Sequence, residues 1–396
     1  MKKILIILLL TIPFIVIYKS TGERKEEKKT NHPVIKEESE LRGVFISYME
    51  LNNYIKDKTK EETQKNIDTI IKNIKKNNLN TIILQVRSHD DAIYKSSFFK
   101  TSDSILLKDN KAYDVLDYFI NKCESVNIDL FLWINPYRIT SKDKEIKNEE
   151  FAYNYINTDV IKKVDGIYYY NPASDVTINH VIDGIKELIK NYKFKGILFD
   201  DYFYPSDDID EKEYKEYLKN NKTISLKEYH LSIINNFIKK VHEEVKKLDE
   251  DILFGISPDG NIENNYNKNY ADVKLWCSEL DYIDFIMPQL YYGFNNENKP
   301  FKRTAEDWSK IVTNKNIKLY FALAFYKVGT IDNYAGSGSN EWLENDDIIK
   351  KQIIISRNIN NYEGFSLFRY DNLFNKELFT KTTDKELDNL KNTLKN

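Results

Sequence analysis

Residues 195–205 read KGILFDDYFYP, a short apolar run that stops on two adjacent aspartates, Asp200 and Asp201, with an aromatic cluster and a proline directly behind. An apolar run of this length reads as a strand buried on both faces. Parallel α/β folds keep their chemistry at the rim where such strands end. Carboxylates beside tyrosines suit the handling of sugars, with acids to move protons and flat rings to stack. An isolated Asp-Asp is more often a cap or a turn carrying two solvated acids. Here the weight shifts because the same strand-then-polar pattern recurs along the chain.

Seven more apolar runs lie at 43–48, 80–86, 128–134, 252–257, 282–287, 317–325 and 363–368. Amphipathic stretches separate them at 62–77, 113–126, 178–192, 226–248, 306–313 and 346–358. Eight strands alternating with helices predict a (β/α)8 TIM barrel. A doubly wound open sheet is the structural rival, but no G-x-G-x-x-G follows the first strand. Residues 139–177 are long for a strand-to-helix connection, and GIYYYNP (166–172) reads as a small hairpin over the barrel mouth. GSGSNEW (336–342) reads as a mobile rim loop.

The residues at and just beyond the strand ends form a one-sided ring of polar and aromatic groups. It holds Gln85, Arg87, Asp91, Trp133, Asn135, Tyr137, Arg138, Asp200, Asp201, Tyr202 and Tyr204. The later strands add Ser257, Asp259, Gln289, Tyr291, Tyr292, Tyr326, Lys327, Arg369, Tyr370 and Asp371. Any single member has a bland explanation in a surface ion pair, a cap or a core tyrosine with a satisfied hydroxyl. Their accumulation at one set of strand ends points to a polysaccharide cleft.

Glycoside hydrolysis normally needs two carboxyl groups across the scissile bond. Alternation puts Gly196, Leu198 and Asp200 on one face of strand four, and Ile197, Phe199 and Asp201 on the other. The small Gly196 suits a crowded interior, so Asp200 is expected to point inward as nucleophile or base. Asp201 turns to the next loop, or reaches the cleft if the strand ends one residue early. Repulsion between the two would then raise one pKa and make an acid. Asp259 is the nearest partner on an adjacent strand, with Asp91 and Asp201 as alternatives. Expected substrate contacts come from Arg87, Asp91, Asn135, Tyr137, Arg138, Tyr202, Tyr204, Gln289, Tyr291, Tyr326 and Arg369.

Composition narrows the classes. A net charge of −3, from 59 basic and 62 acidic side chains, lacks the basic excess of a nucleic-acid binder. Cys123 and Cys277 lie far apart in sequence and are expected to pack as small apolar groups. No pair among the five histidines has metal-binding spacing, so neither a metal nor a cofactor is expected. Aromatics reach 13%, but with Lys, Asn and Ile also abundant, tyrosine positions carry more weight than their count.

Lys2 and Lys3 precede an apolar run from Ile4 to Tyr18, the pattern of an export signal or a signal anchor. Residues 19–40 are charged, without apolar periodicity, and read as a tether. The expected organisation is therefore a signal segment at 1–18, a linker at 19–40, a barrel at 41–375 and a helical tail at 376–396. Export to the cell surface or beyond is expected, with any membrane contact made through residues 4–18.

The strings RGVFISY, LNTIILQVRSHDDAIY, LFLWINPYR and KGILFDDYFYP resemble the glycosyl-hydrolase-like family 10 barrels. LFGISPDGNIENNY, ADVKLWCSELDYIDFIMPQLYYG, LYFALAFYKVG and GFSLFRYDNL continue the likeness, in order, from about Leu41 to Phe374. The resemblance implies a TIM barrel, an exported bacterial protein and action on a cell-envelope or extracellular glycan, with peptidoglycan strands as the leading substrate. Two positions depart from the family: its usual first-strand Trp is Phe45 here, and a position that is often apolar holds Asp259. A surface-tethered barrel that binds glycan without turnover is the alternative, since the fold alone does not guarantee chemistry.

Overall fold

The structure, a computed structural model, describes residues 40–395 except 110, 112, 221 and 222. Residues 1–39, which hold the expected signal segment and nearly all of the tether, lie outside it. Among the described residues no helix is long and apolar enough to cross a membrane.

Eight parallel strands close into a barrel. They are β1 (Leu41–Ile46), β2 (Thr81–Arg87), β3 (Asp129–Ile134), β4 (Gly196–Phe199), β5 (Leu253–Ile256), β6, β7 (Lys318–Leu323) and β8 (Tyr362–Leu367). Strand β6 comes in two pieces, Phe285–Ile286 and Gln289–Leu290, because Pro288 has no N–H to give to the ladder. Each strand pairs with the next, and β8 returns to β1 with Leu41 opposite Gly364. All eight strands therefore sit where the apolar runs put them.

Alternation divides the apolar side chains into two cores. Leu41, Phe45, Ile83, Phe131, Trp133, Leu198, Phe285, Met287, Tyr320 and Ala322 fill the barrel. The opposite faces, Ile197 and Phe199 among them, pack against the surrounding helices. Gly196 is required by the interior: a Cβ there would stand 2.6 Å from the Phe131 ring and 2.7 Å from the Leu253 carbonyl.

The helices follow local signals. Helix Lys60–Lys76 opens on a capping box between Thr59 and Glu62, and buries Ile67, Ile70, Ile71 and Ile74 at helical spacing. Helix Leu226–Leu248 opens on the same device, Ser225 with Glu228. Helices Tyr48–Tyr54, Glu211–Asn220 and Ile262–Asn267 escape the periodicity reading, being short or, for Glu211–Asn220, without a single buried residue. The last helix, Lys381–Thr393, lies against Ile348–Ser356, with Leu387 and Leu390 buried. Cys123 and Cys277 are free and buried.

Two loops differ from expectation. The hairpin pairs Ile161–Val164 with Ile167–Tyr170, and docks on the chain leaving β3: Ile139 N–H donates to Tyr168 O, and Tyr170 N–H to Tyr137 O. Its first strand, IKKV, is too polar to read as one. The expected mobile loop at 336–342 is instead fastened. Buried Glu341 accepts from the backbone amides of Phe294 and Asn295 at 2.9 and 2.8 Å.

Candidate active site

The inward alternation of β4 delivers Asp200 to the floor of a cavity of about 330 Å3 at the carboxyl ends of the strands. Asp200 is 4% exposed. Its carboxylate accepts from Trp133 Nε1–H at 3.0 Å and from Asn135 Nδ2–H at 3.1 and 3.2 Å. Both donors come from the neighbouring strand β3 and its exit. Asn135 is itself aimed by the chain, since its Oδ1 accepts the backbone N–H groups of Tyr137 and Arg138. Burial pushes the Asp200 pKa up, while these donors and the nearby Arg138 charge pull against it.

Strand β4 ends at Phe199, so Asp201 also reaches the cavity. It accepts from Gln289 Nε2–H at 3.2 Å. Burial first, and then the neighbouring Asp200 charge, push the Asp201 pKa to about 7. Two adjacent carboxylates in a shared low-dielectric pocket resist losing both protons together.

Among the expected contact residues, Arg138, Tyr202, Gln289 and Tyr291 line the cavity with the two acids. The Arg138 guanidinium lies 4.7 Å over the Tyr202 ring, which is 54% exposed. Asn135 acts from behind Asp200. Tyr326 stands at the rim, its ring 5.7 Å from Tyr291 and 5.9 Å from Phe368.

Six expected residues face elsewhere. The β2–β3 register shifts between Gln85 and Arg87, and the irregularity turns Arg87 outward. Its guanidinium stacks on Phe99 at 3.5 Å, buried beside Gly184 of helix Asp175–Asn191. Asp91 is buried in a short ladder with Lys100, away from the cavity. Tyr137 has no exposure and packs on Phe237 in the outer core. Tyr204 donates to Asp210 at 2.7 Å and lies against His230. Arg369 pairs with the buried Glu50, which also accepts from Ser47 Oγ at 2.5 Å.

Asp259 does not line the cavity either. It accepts from Asn261 N–H at 2.8 Å and Asn264 Nδ2–H at 3.2 Å, where it opens the turn into helix Ile262–Asn267. Asp201, rather than Asp259, is the carboxylate that shares the cavity with Asp200.

Several lining residues escape the reading of strand ends: Phe45, Ser47, Tyr48, Met49, Leu198 and Phe368. The alternation that places Asp200 would have found Phe45, Ser47 and Phe368, because each falls on the inward set of β1 or β8. Among the described residues no group of His, Cys, Asp and Glu could hold a metal ion.

Comparison with known proteins agrees with this geometry. The chain is 26% identical over 360 residues to the glycosyl hydrolase YngK of Bacillus subtilis, covering 84% of this chain and 69% of that protein. It is 25% identical over 326 residues to the glycosyl hydrolase DigH of Escherichia coli K12, covering 74% and 73%. In fold it is similar to the PgaB (BpsB) glycoside hydrolase domain of Bordetella bronchiseptica, with a TM-score of 0.58 at 11% identity, covering 89% and 99%. Residues 40–337 match the family described as Glycosyl hydrolase-like 10, and the chain belongs to that family.

Proposed function

We propose that the protein hydrolyses glycosidic bonds in a cell-envelope or extracellular polysaccharide, with the glycan strands of peptidoglycan as its leading substrate. The observation that carries this reading is the pair Asp200 and Asp201 in one aromatic-lined cavity, with Asp201 pushed to about 7. Repulsion between the two neighbouring carboxylates, on top of burial, favours keeping a proton in the pair. The donors around Asp200 favour leaving its oxygens bare, so the proton belongs on Asp201. Asp201 then protonates the glycosidic oxygen as its bond to the sugar carbon breaks, Asp200 steadies the positive charge that develops there, and water adds to that carbon and returns a proton to Asp201. Trp133 and Asn135 hold Asp200 in place, and Arg138, Tyr202 and Tyr291 offer stacking faces and donors to the sugar. An N-acetylated glycan can also lend its own acetamido oxygen to the reaction, which removes the need for a carboxylate on the far side of the bond. Export under the direction of residues 1–18 would bring this site to such polymers.

One observation favours a second reading, a glycan-binding barrel without turnover. The cavity wall facing β4, formed by Phe45, Ser47, Tyr48 and Phe368, contributes no carboxylate among the described lining residues. Incubation with purified wall glycan, with and without stem peptides, followed by mass analysis of products, separates the two. New reducing ends that vanish with Asp200→Asn support hydrolysis. Retention of intact glycan without products supports the binder.

A further inference from the structure

The loop after β7 carries the most exposed large hydrophobic side chain among the described residues. Tyr334 is 90% exposed, and Ile331 beside it 53%. Singly exposed apolar residues are ordinary, but the carrier of this one is not. Lys327, at the exit of β7, forms a 2.7 Å ion pair with the buried Asp332, and donates at 2.8 Å to the backbone carbonyl of Tyr291 in the cavity wall. Asp332 in turn accepts the Tyr334 N–H at 3.2 Å, and gives its own N–H to Ser339 O. The far side of the loop is fixed to the β6 loop, since Glu297 N–H donates to Ala335 O and Ser337 N–H to a Glu297 carboxylate oxygen. Gly336 takes a positive φ there, at +60°, with no room for a Cβ beside Glu297.

A tyrosine on a flexible loop would lose conformational entropy when a ligand covers it. Here the buried ion pair and the backbone bonds already hold the main chain that carries Tyr334, so the backbone share of that entropy is given up before a ligand arrives. The loop is also joined to the cavity by aromatic rings. Phe368 and Tyr291 line the cavity, and Tyr326 sits edge-on to Tyr291 at the rim. At about 330 Å3 the cavity lies at the small end of ligand pockets, so it encloses only a short stretch of a polymer. A chain leaving it past Tyr326 needs further flat surface along the rim.

We infer that Tyr334, on the loop held by the Lys327–Asp332 ion pair, is a distal stacking platform that makes this protein select long glycan chains over short oligosaccharides. The inference rests on the glycan reading of the cavity and adds chain length to its specificity. The platform is a specificity device at the rim and takes no part in bond cleavage.

The test measures binding of long glycan chains and of a disaccharide from the same polymer, in an Asp200→Asn background so that nothing is cut. Adding Tyr334→Ala should weaken long-chain binding roughly three- to tenfold, the range expected for one aromatic contact. Disaccharide binding should hold, Tyr334→Trp should keep the long-chain affinity, and thermal unfolding should be unmoved. Long-chain binding unchanged by Tyr334→Ala, or an equal loss at both lengths, overturns the platform while leaving the glycan reading in place. Failure of the Asp200→Asn parent and the wild type to bind either length overturns the glycan reading itself.

Discussion

Trp133 and Asp200 stand on neighbouring strands of the barrel, and the indole Nε1–H of one points at a carboxylate oxygen of the other from 3.0 Å. Trp133 also packs edge-on to Phe45 inside the barrel, which fixes the direction of its N–H. A hydrogen bond to a buried charge contributes about 1.5–3 kcal/mol. Trp133→Phe keeps most of the ring and removes the donor, so kcat/KM for glycan cleavage should fall by roughly ten- to a hundredfold with the fold intact. Asp200→Asn should abolish cleavage altogether, and Asp259→Asn should cost far less than either. A product assay on the three variants, with circular dichroism to check folding, measures this.

The pH profile should report Asp201. With its pKa at about 7, the protonated acid is present below that value and lost above it, so kcat/KM should decline as pH rises through 7. The Gln289 side-chain N–H stabilises the ionised form. Removing it with Gln289→Leu should raise the Asp201 pKa further and carry the alkaline limb to higher pH. A limb that stays in place, or moves to lower pH, would count against Asp201 as the acid.

Glu386, on the last helix, is buried and pushed to about 7 mainly by desolvation, although backbone amides of residues 348–350 oppose the shift. Between its ordinary value of 4.5 and about 7, the folded chain holds a proton that the unfolded chain has lost. Stability should therefore drop as pH rises through that window. Glu386→Gln removes the buried charge while retaining an acceptor for the Lys350 amide. Its melting temperature should exceed that of the wild type above pH 7, and the gap should close towards pH 4.5. Thermal unfolding across pH checks it.

Gly196→Ala should destabilise the barrel by about 1–3 kcal/mol, the usual cost of overpacking a filled interior. The added methyl meets the Phe131 ring at 2.6 Å and the Leu253 carbonyl oxygen at 2.7 Å, and the second of these is backbone that has little room to yield. Chemical denaturation measures the loss.

Sequence alone was sufficient where the controlling physics is local. Side chains alternate along any strand, so a glycine two positions before a leucine and four before an aspartate was enough to put Asp200 inside. The tyrosines show where that stops. Tyr137, Tyr202, Tyr204 and Tyr291 look alike in sequence, yet only Tyr202 and Tyr291 line the cavity. Tyr137 is taken by Phe237, and Tyr204 by Asp210 and His230. Those partners lie on later segments of the chain, and no local pattern announces them.

The amino-acid order by itself determined a ring of eight parallel strands and the direction in which strand four presents its aspartate, because burial periodicity and chain direction need no distant information. Only the tertiary structure decided which polar residues share the cavity. A register shift after Gln85 turned Arg87 away, the amides of the next turn engaged Asp259, and the early end of β4 admitted Asp201. The register shift and the end of β4 depend on pairing between segments far apart in the chain and are settled when the barrel closes, whereas the Asp259 contacts are local to its own turn and are not reported by strand alternation.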